Sequence, residues 1–74
     1  MIPSQYVLDA VQNKGFRFRK ETDRCRFFKK EGGTHRVSVR KAKYLSEEYV
    51  VKLLRRIGCE DEEIQSVLDK REMH

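Results

Sequence analysis

The stretch that decides the fold is FRFRKETDRCRFFKKEGGTHRVSVR, running from Phe16 to Arg40. Phe16 and Phe18 alternate with Arg17 and Arg19, and Val37 and Val39 alternate with Arg36, Ser38 and Arg40. Successive side chains on a strand point to opposite faces, so each segment reads as a strand that is apolar on one side and basic on the other. Between them, Arg24 to Lys30 reads as a further strand, entered through a turn at Glu21-Thr22-Asp23. Glu31-Gly32-Gly33-Thr34 then joins it to a strand from His35 to Arg40, the two glycines supplying the positive φ of a tight hairpin. Three antiparallel strands in chain order are expected.

Working outward, the pattern changes to helical spacing on both sides. Ser4 stands as N-cap ahead of Val7, Leu8 and Val11, and Gly15 follows in the C′ position, which predicts a helix near residues 4 to 14. Downstream, Ser46 precedes Glu47 and Glu48, acids that suit the positive end of a helix dipole, and Val50, Leu53, Leu54 and Ile57 repeat along one face until Gly58. A shorter helix starts at Glu60 or Asp61 and carries Ile64, Val67 and Leu68, and the tail from Asp69 to His74 is expected to fray. The order is helix, three-stranded antiparallel sheet, helix, short helix: a two-layer α+β domain with helices over one sheet face.

Length and composition set the limits around this reading. The 74 residues are expected to make one domain, 1–74, or a fragment, too small for a cofactor lobe or a deep substrate cavity. Charged residues are 39% of the chain against ~25% in an average domain, yet four Phe, three Tyr and regular aliphatic spacing mark it as folded. Cys25 and Cys59 fit neither a zinc spacing nor a disulfide scaffold, and no metal or cofactor is expected. The chain lacks a signal-peptide pattern and any long apolar run, so no membrane partner and a cytoplasmic location are expected.

Charge is concentrated in the middle. From Lys14 to Lys43 twelve basic residues face three acids, a local +9 within a total of +5. From Tyr44 to His74 five basic residues face eight acids, with Glu60 to Glu63 as a block. If helices cover Phe16, Phe18, Val37 and Val39, alternation turns Arg17, Arg19, Arg36 and Arg40 to the open side. For the strand between, facing Phe28 inward would bury Arg24 and Arg26 at several kcal/mol per ion. Facing Phe27 inward avoids that cost and sends Arg24, Arg26, Phe28 and Lys30 outward. The expected contact face is therefore Arg17, Arg19, Arg24, Arg26, Phe28, Lys30, Arg36 and Arg40, in which arginines clamp phosphates and an exposed ring stacks on a base. The same parity turns Cys25 inward as packing, and Cys59 closes a helix end. Tyr6, Tyr44 and Tyr49 are read as framing the helix–sheet boundary.

The layout from Tyr6 to Leu68 resembles the HicA family of small toxins. Leu8-x-x-Val11-x-x-x-Gly15-Phe16 is similar to the family's opening helix, and Phe28, Gly33 and Val37-Ser38-Val39 to its hairpin. Val50 to Gly58 and the acidic stretch from Glu60 to Ile64 are similar to its closing helices. The resemblance implies a double-stranded-RNA-binding-like fold, cleavage of messenger RNA through one histidine, and an antitoxin partner. Counting from Gly15, the family's Gly-Ser-His falls on Asp23-Arg24-Cys25, and the family's proline after the last strand is Arg40 here. An unperturbed thiol, with a pKa near ~8.5, does not exchange protons at neutral pH as imidazole near ~6.5 does.

The expectation is thus a HicA-like RNA-binding domain whose nuclease centre is lost or altered, with duplex RNA favoured through the resemblance. Its rivals are an active messenger-RNA-cleaving toxin, with Cys25 or His35 as the candidate catalytic residue, and a module that binds an acidic antitoxin-like protein.

Overall fold

The computed structural model describes residues 1–70; the end of the tail expected to fray, 71–74, lies outside the described residues. The chain runs β1 (Ile2–Pro3), α1 (Ser4–Asn13), β2 (Phe16–Glu21), β3 (Cys25–Lys30), β4 (Arg36–Arg40), β5 (Tyr44–Leu45), α2 (Glu47–Arg56) and α3 (Asp61–Asp69). The three middle strands form an antiparallel sheet in the order β2-β3-β4, as the alternation predicts. Against its inner face, Phe16, Phe28, Val37 and Val39 join Val7 and Val11 of α1, Val50, Leu53 and Leu54 of α2, and Ile64, Val67 and Leu68 of α3 in one buried cluster. Among the described residues no polar or charged residue is buried, so this core is apolar throughout.

Helix ends follow their local chemistry. Ser46 accepts the Tyr49 N–H at 3.2 Å, and Glu60 N–H donates to the Glu63 carboxylate at 2.8 Å, so α2 and α3 begin on satisfied amides. After α2, Gly58 takes φ +93° while its N–H donates to Arg55 O and Cys59 N–H to Leu54 O, a Schellman ending that needs glycine at that position. Ser4 does not cap α1. It is the first helical residue, and its N–H donates to Lys43 O, because Ile2–Pro3 pair with Tyr44–Leu45 in a second, two-stranded sheet. Ile2 is completely buried by that pairing, which holds the chain start against the α2 entry. In the β3–β4 hairpin only Gly32 of the two glycines takes a positive φ, +77°.

β3 faces the opposite way from expectation, and Phe18 keeps its expected parity but is more exposed. Phe28 points inward and is 2% exposed, whereas Phe18, expected in the core, is 50% exposed. Phe18 and Phe28 are paired residues and their rings meet edge to face at 5.9 Å, but at this corner of the edge strand the Phe18 ring keeps an open side. The inward turn of Phe28 carries Arg26 and Lys30 with it. Neither is buried as a naked charge. Arg26 lies at the sheet's end, 3.8 Å from Glu21, and Lys30 extends to the end of α1, where its ammonium donates to Lys14 O and sits 5.3 Å from the Phe16 ring. A cation at a helix C-terminus is favourable, so the desolvation cost that argued for the opposite parity does not arise.

This parity predicts a sharp contrast between neighbouring residues. Phe28→Ala should cost about 3–5 kcal/mol, enough to leave a domain of this size marginal or unfolded, while Phe27→Ala should cost about 1–2 kcal/mol. Urea unfolding followed by circular dichroism measures both, and a larger loss at Phe27 would contradict the parity.

Candidate nucleic-acid interface

The open face is read from the strand register, because residues directly opposite one another project to the same side. Arg17 pairs with Lys29 and Lys29 with Arg36, which sets three cations in one row across the sheet. At ~4.8 Å between strands the row spans roughly 10 Å. The next row is Lys20, Phe27 and Ser38, and beyond it Cys25 faces Arg40. Between Phe18 and Lys20 the register shifts, so Arg19 is the extra residue of a bulge on β2. A bulge sets two residues against one, and here it lets consecutive cations, Arg19 and Lys20, both serve the open side.

A cleft of about 470 Å³ opens there, lined by Arg19, Lys20, Phe27, Phe28, Lys29 and Arg36. Phe27 is half-buried, and the Lys20 ammonium stands 5.5 Å from its ring centre. Such an exposed cation–π contact is worth about 0.5–1 kcal/mol, less than the ~1–3 kcal/mol of a base stacked on an aromatic ring. A base can therefore displace the ammonium. Arg17 lies 3.5 Å from Glu31 in an exposed ion pair of small worth. Among the described residues no acid lines the cleft.

Of the eight residues expected to make the contact face, the structure brings Arg17, Arg19 and Arg36 together, with Arg40 at the margin. The Arg40 guanidinium lies 5.0 Å from the Tyr49 ring, and the Arg40 backbone N–H donates to the Tyr49 hydroxyl at 3.0 Å, so the residue wraps the β4 edge toward α2. Arg24 is exposed in the turn before β3, where its N–H faces the Thr22 hydroxyl at 3.3 Å. Arg26, Phe28 and Lys30 belong to the inner parity. Their places on the open face are taken by Phe27, Lys29 and Lys20, which the sequence reading missed. The Phe27-Phe28 doublet carries no signal for which ring is buried; the pairing of Phe28 with inward Val37 fixes it, and the bulge, unmarked by glycine, turns Lys20 to the open side.

The candidate catalytic residues do not meet. Cys25 shares the open face with Phe27 and Arg40 rather than packing inward, and its N–H faces the Thr22 hydroxyl at 3.2 Å. His35 lies at the other end of the hairpin, where its carbonyl accepts the Lys30 N–H and its ring meets Phe16 edge-on at 5.3 Å. Five residues of strand, roughly 17 Å, separate the two. Cys59 packs against the core between α1 and α3, and burial pushes its thiol up from the ordinary range. No group of three His, Cys, Asp or Glu able to hold a metal occurs among the described residues.

Charge on the helical side is arranged differently. The Glu63 carboxylate accepts the Glu60 N–H at 2.8 Å and pairs with the Lys14 ammonium at 2.8 Å, and these two contacts, the amide first, hold it below the usual carboxylate range. Its hydrogen bond to Lys14 raises that ammonium in turn. Glu21 is lowered likewise, chiefly by the Lys41 hydrogen bond at 3.0 Å. Glu63 thus ties α1 to α3, and Glu21 ties the β2 end to the β4 exit.

Comparison with protein-family models, curated proteins and solved structures gives no match. Among the described residues no helix is long and apolar enough to cross a membrane.

A carboxylate lowered in the folded state stabilises above its unfolded pKa, ~4.3 for Glu, and loses that contribution as pH falls through the lowered value. The stability advantage of the wild type over Glu63→Gln should therefore shrink as pH drops from about 6 to about 3, as thermal melts across that range would show. An advantage constant with pH would contradict the ionised Lys14–Glu63 contact.

Proposed function

We propose that this protein is a small RNA-binding module that contacts phosphates through the open face of its three-stranded sheet, its nuclease centre lost or altered relative to the family it resembles. The observation that carries the reading is the row Arg17, Lys29, Arg36, three cations fixed side by side by backbone pairing, beside Arg19 and Lys20 at the bulge. Backbone pairing fixes where these side chains start, so less freedom is lost when they close on phosphates than from cations scattered over loops. The altered centre is supported by Cys25, which stands where the family has histidine and has Arg40 and Phe27 rather than an imidazole or carboxylate along its face.

The test is fluorescence anisotropy with labelled RNA at two salt concentrations. The wild type should bind with affinity that falls steeply as salt rises, because phosphate contacts release counterions. Lys29→Glu with Arg36→Glu should weaken binding at least about tenfold and flatten the salt dependence by about two contacts' worth, while Lys52→Glu with Arg55→Glu on α2 should leave it nearly unchanged. Unchanged affinity in the first pair rejects this face. Binding to an acidic protein with none to RNA at low salt would move the assignment to a protein-docking sheet.

A further inference from the structure

The open face has a shape as well as a sign, and the shape distinguishes among RNAs. Its basic rows cover roughly 10 Å across the strands and, from the Lys29 row to the Cys25 row, roughly 13 Å along them. Duplex recognition of the double-stranded-RNA-binding kind spans about 16 base pairs across successive grooves, far more than this patch offers. In a duplex the ring faces of the bases are occupied by their neighbours, so an aromatic surface has nothing to stack on. Phe27 is such a surface. It is half-buried in a cleft of about 470 Å³, with Lys20 on its ring and Lys29, Arg36 and Arg19 around it.

We propose that the cleft over Phe27 is a site for an unpaired base of single-stranded RNA, the base stacking on the Phe27 ring while Lys29 and Arg36 on one side and Arg19 and Lys20 on the other hold the flanking phosphates. The inference rests on the RNA-binding reading above and adds to it the strandedness of the ligand and the aromatic contact. Lys20 leaves the ring as the base arrives and its ammonium is released toward a phosphate, so the displaced contact is replaced by an ionic one. Ser38, exposed in the same row as Phe27, borders the site on the β4 side. Stacking does not read the identity of the base, so selectivity should be for unpaired character over sequence.

Three labelled probes separate the two readings: a uridylate octamer, a duplex RNA of similar charge, and an abasic ribose-phosphate chain of eight units. The octamer should bind about 5- to 140-fold more tightly than the abasic chain, the factor expected of one stacked base, and more tightly per contact than the duplex. Phe27→Ala should erase the preference for the octamer over the abasic chain, and Phe27→Tyr should keep it. A deoxythymidylate octamer should show the same preference over its own abasic counterpart. Equal binding of octamer and abasic chain, or tighter binding of the duplex, overturns the base site while leaving the phosphate-binding face intact. Binding of none of the probes at low salt overturns both. The wild-type comparison of octamer with abasic chain decides the matter even if a Phe27 variant fails to fold.

Discussion

The burial of Phe28 is the constraint on which the rest of this structure depends. With its ring held among Val37, Phe16 and the helical side chains, β3 can present only its odd-numbered residues to the open side, and the chemistry of that face follows. Cys25, Phe27 and Lys29 are outward because Phe28 is inward. The same choice places Arg26 beside Glu21 and Lys30 at the end of α1, so both cations lie where counter-charge or a helix dipole meets them. Burial of one large ring outweighs the awkward position of two long, flexible cations, which can extend to reach polar partners while their aliphatic stems stay packed.

The bulge at Arg19 is the second half of that arrangement. Without it Lys20 would share the parity of Phe18 and face the helices; with it, Lys20 stands opposite Phe27 and the cleft gains a cation. β2 is mostly exposed, and its edge carries Arg17, Arg19 and Lys20, charges that discourage pairing with a second copy of the same strand. On the opposite edge Tyr49 covers the end of β4 by accepting the Arg40 N–H and lying under its guanidinium. One end of the sheet is therefore tied to α2 by Tyr49, as expected of a boundary tyrosine. Tyr44, on the short strand β5, is 44% exposed.

Much of the fold was legible in the sequence because each signal had a single solution. Alternation in Phe16–Arg19 and Val37–Arg40, the turn at Gly32, and the capped acidic starts of α2 and α3 led to the right elements in the right order. What was not legible has physical reasons. A Phe-Phe doublet satisfies either parity, and the register shift at Arg19 that turns Lys20 outward is marked by no glycine. β1 and β5 are two residues each, too short for any period, yet they take Ser4 out of its expected cap and bury Ile2. For the site, positive charge on one face followed from composition and alternation alone, but Arg26, Phe28 and Lys30 gave way to Phe27, Lys29 and Lys20, and Arg24 lies in the turn before β3. The thiol and imidazole of Cys25 and His35 were candidates by residue type, and only the hairpin register sets them at opposite ends.

The most direct test of the central claim is a titration of isotope-labelled protein with a short single-stranded RNA, followed by amide chemical shifts. Binding at the open face requires the largest shifts at Arg17, Lys20, Phe27, Lys29, Arg36 and Ser38, with α3 unmoved. Shifts confined to Lys14, Cys59 and Glu63 between α1 and α3, or none at saturating RNA, would contradict it.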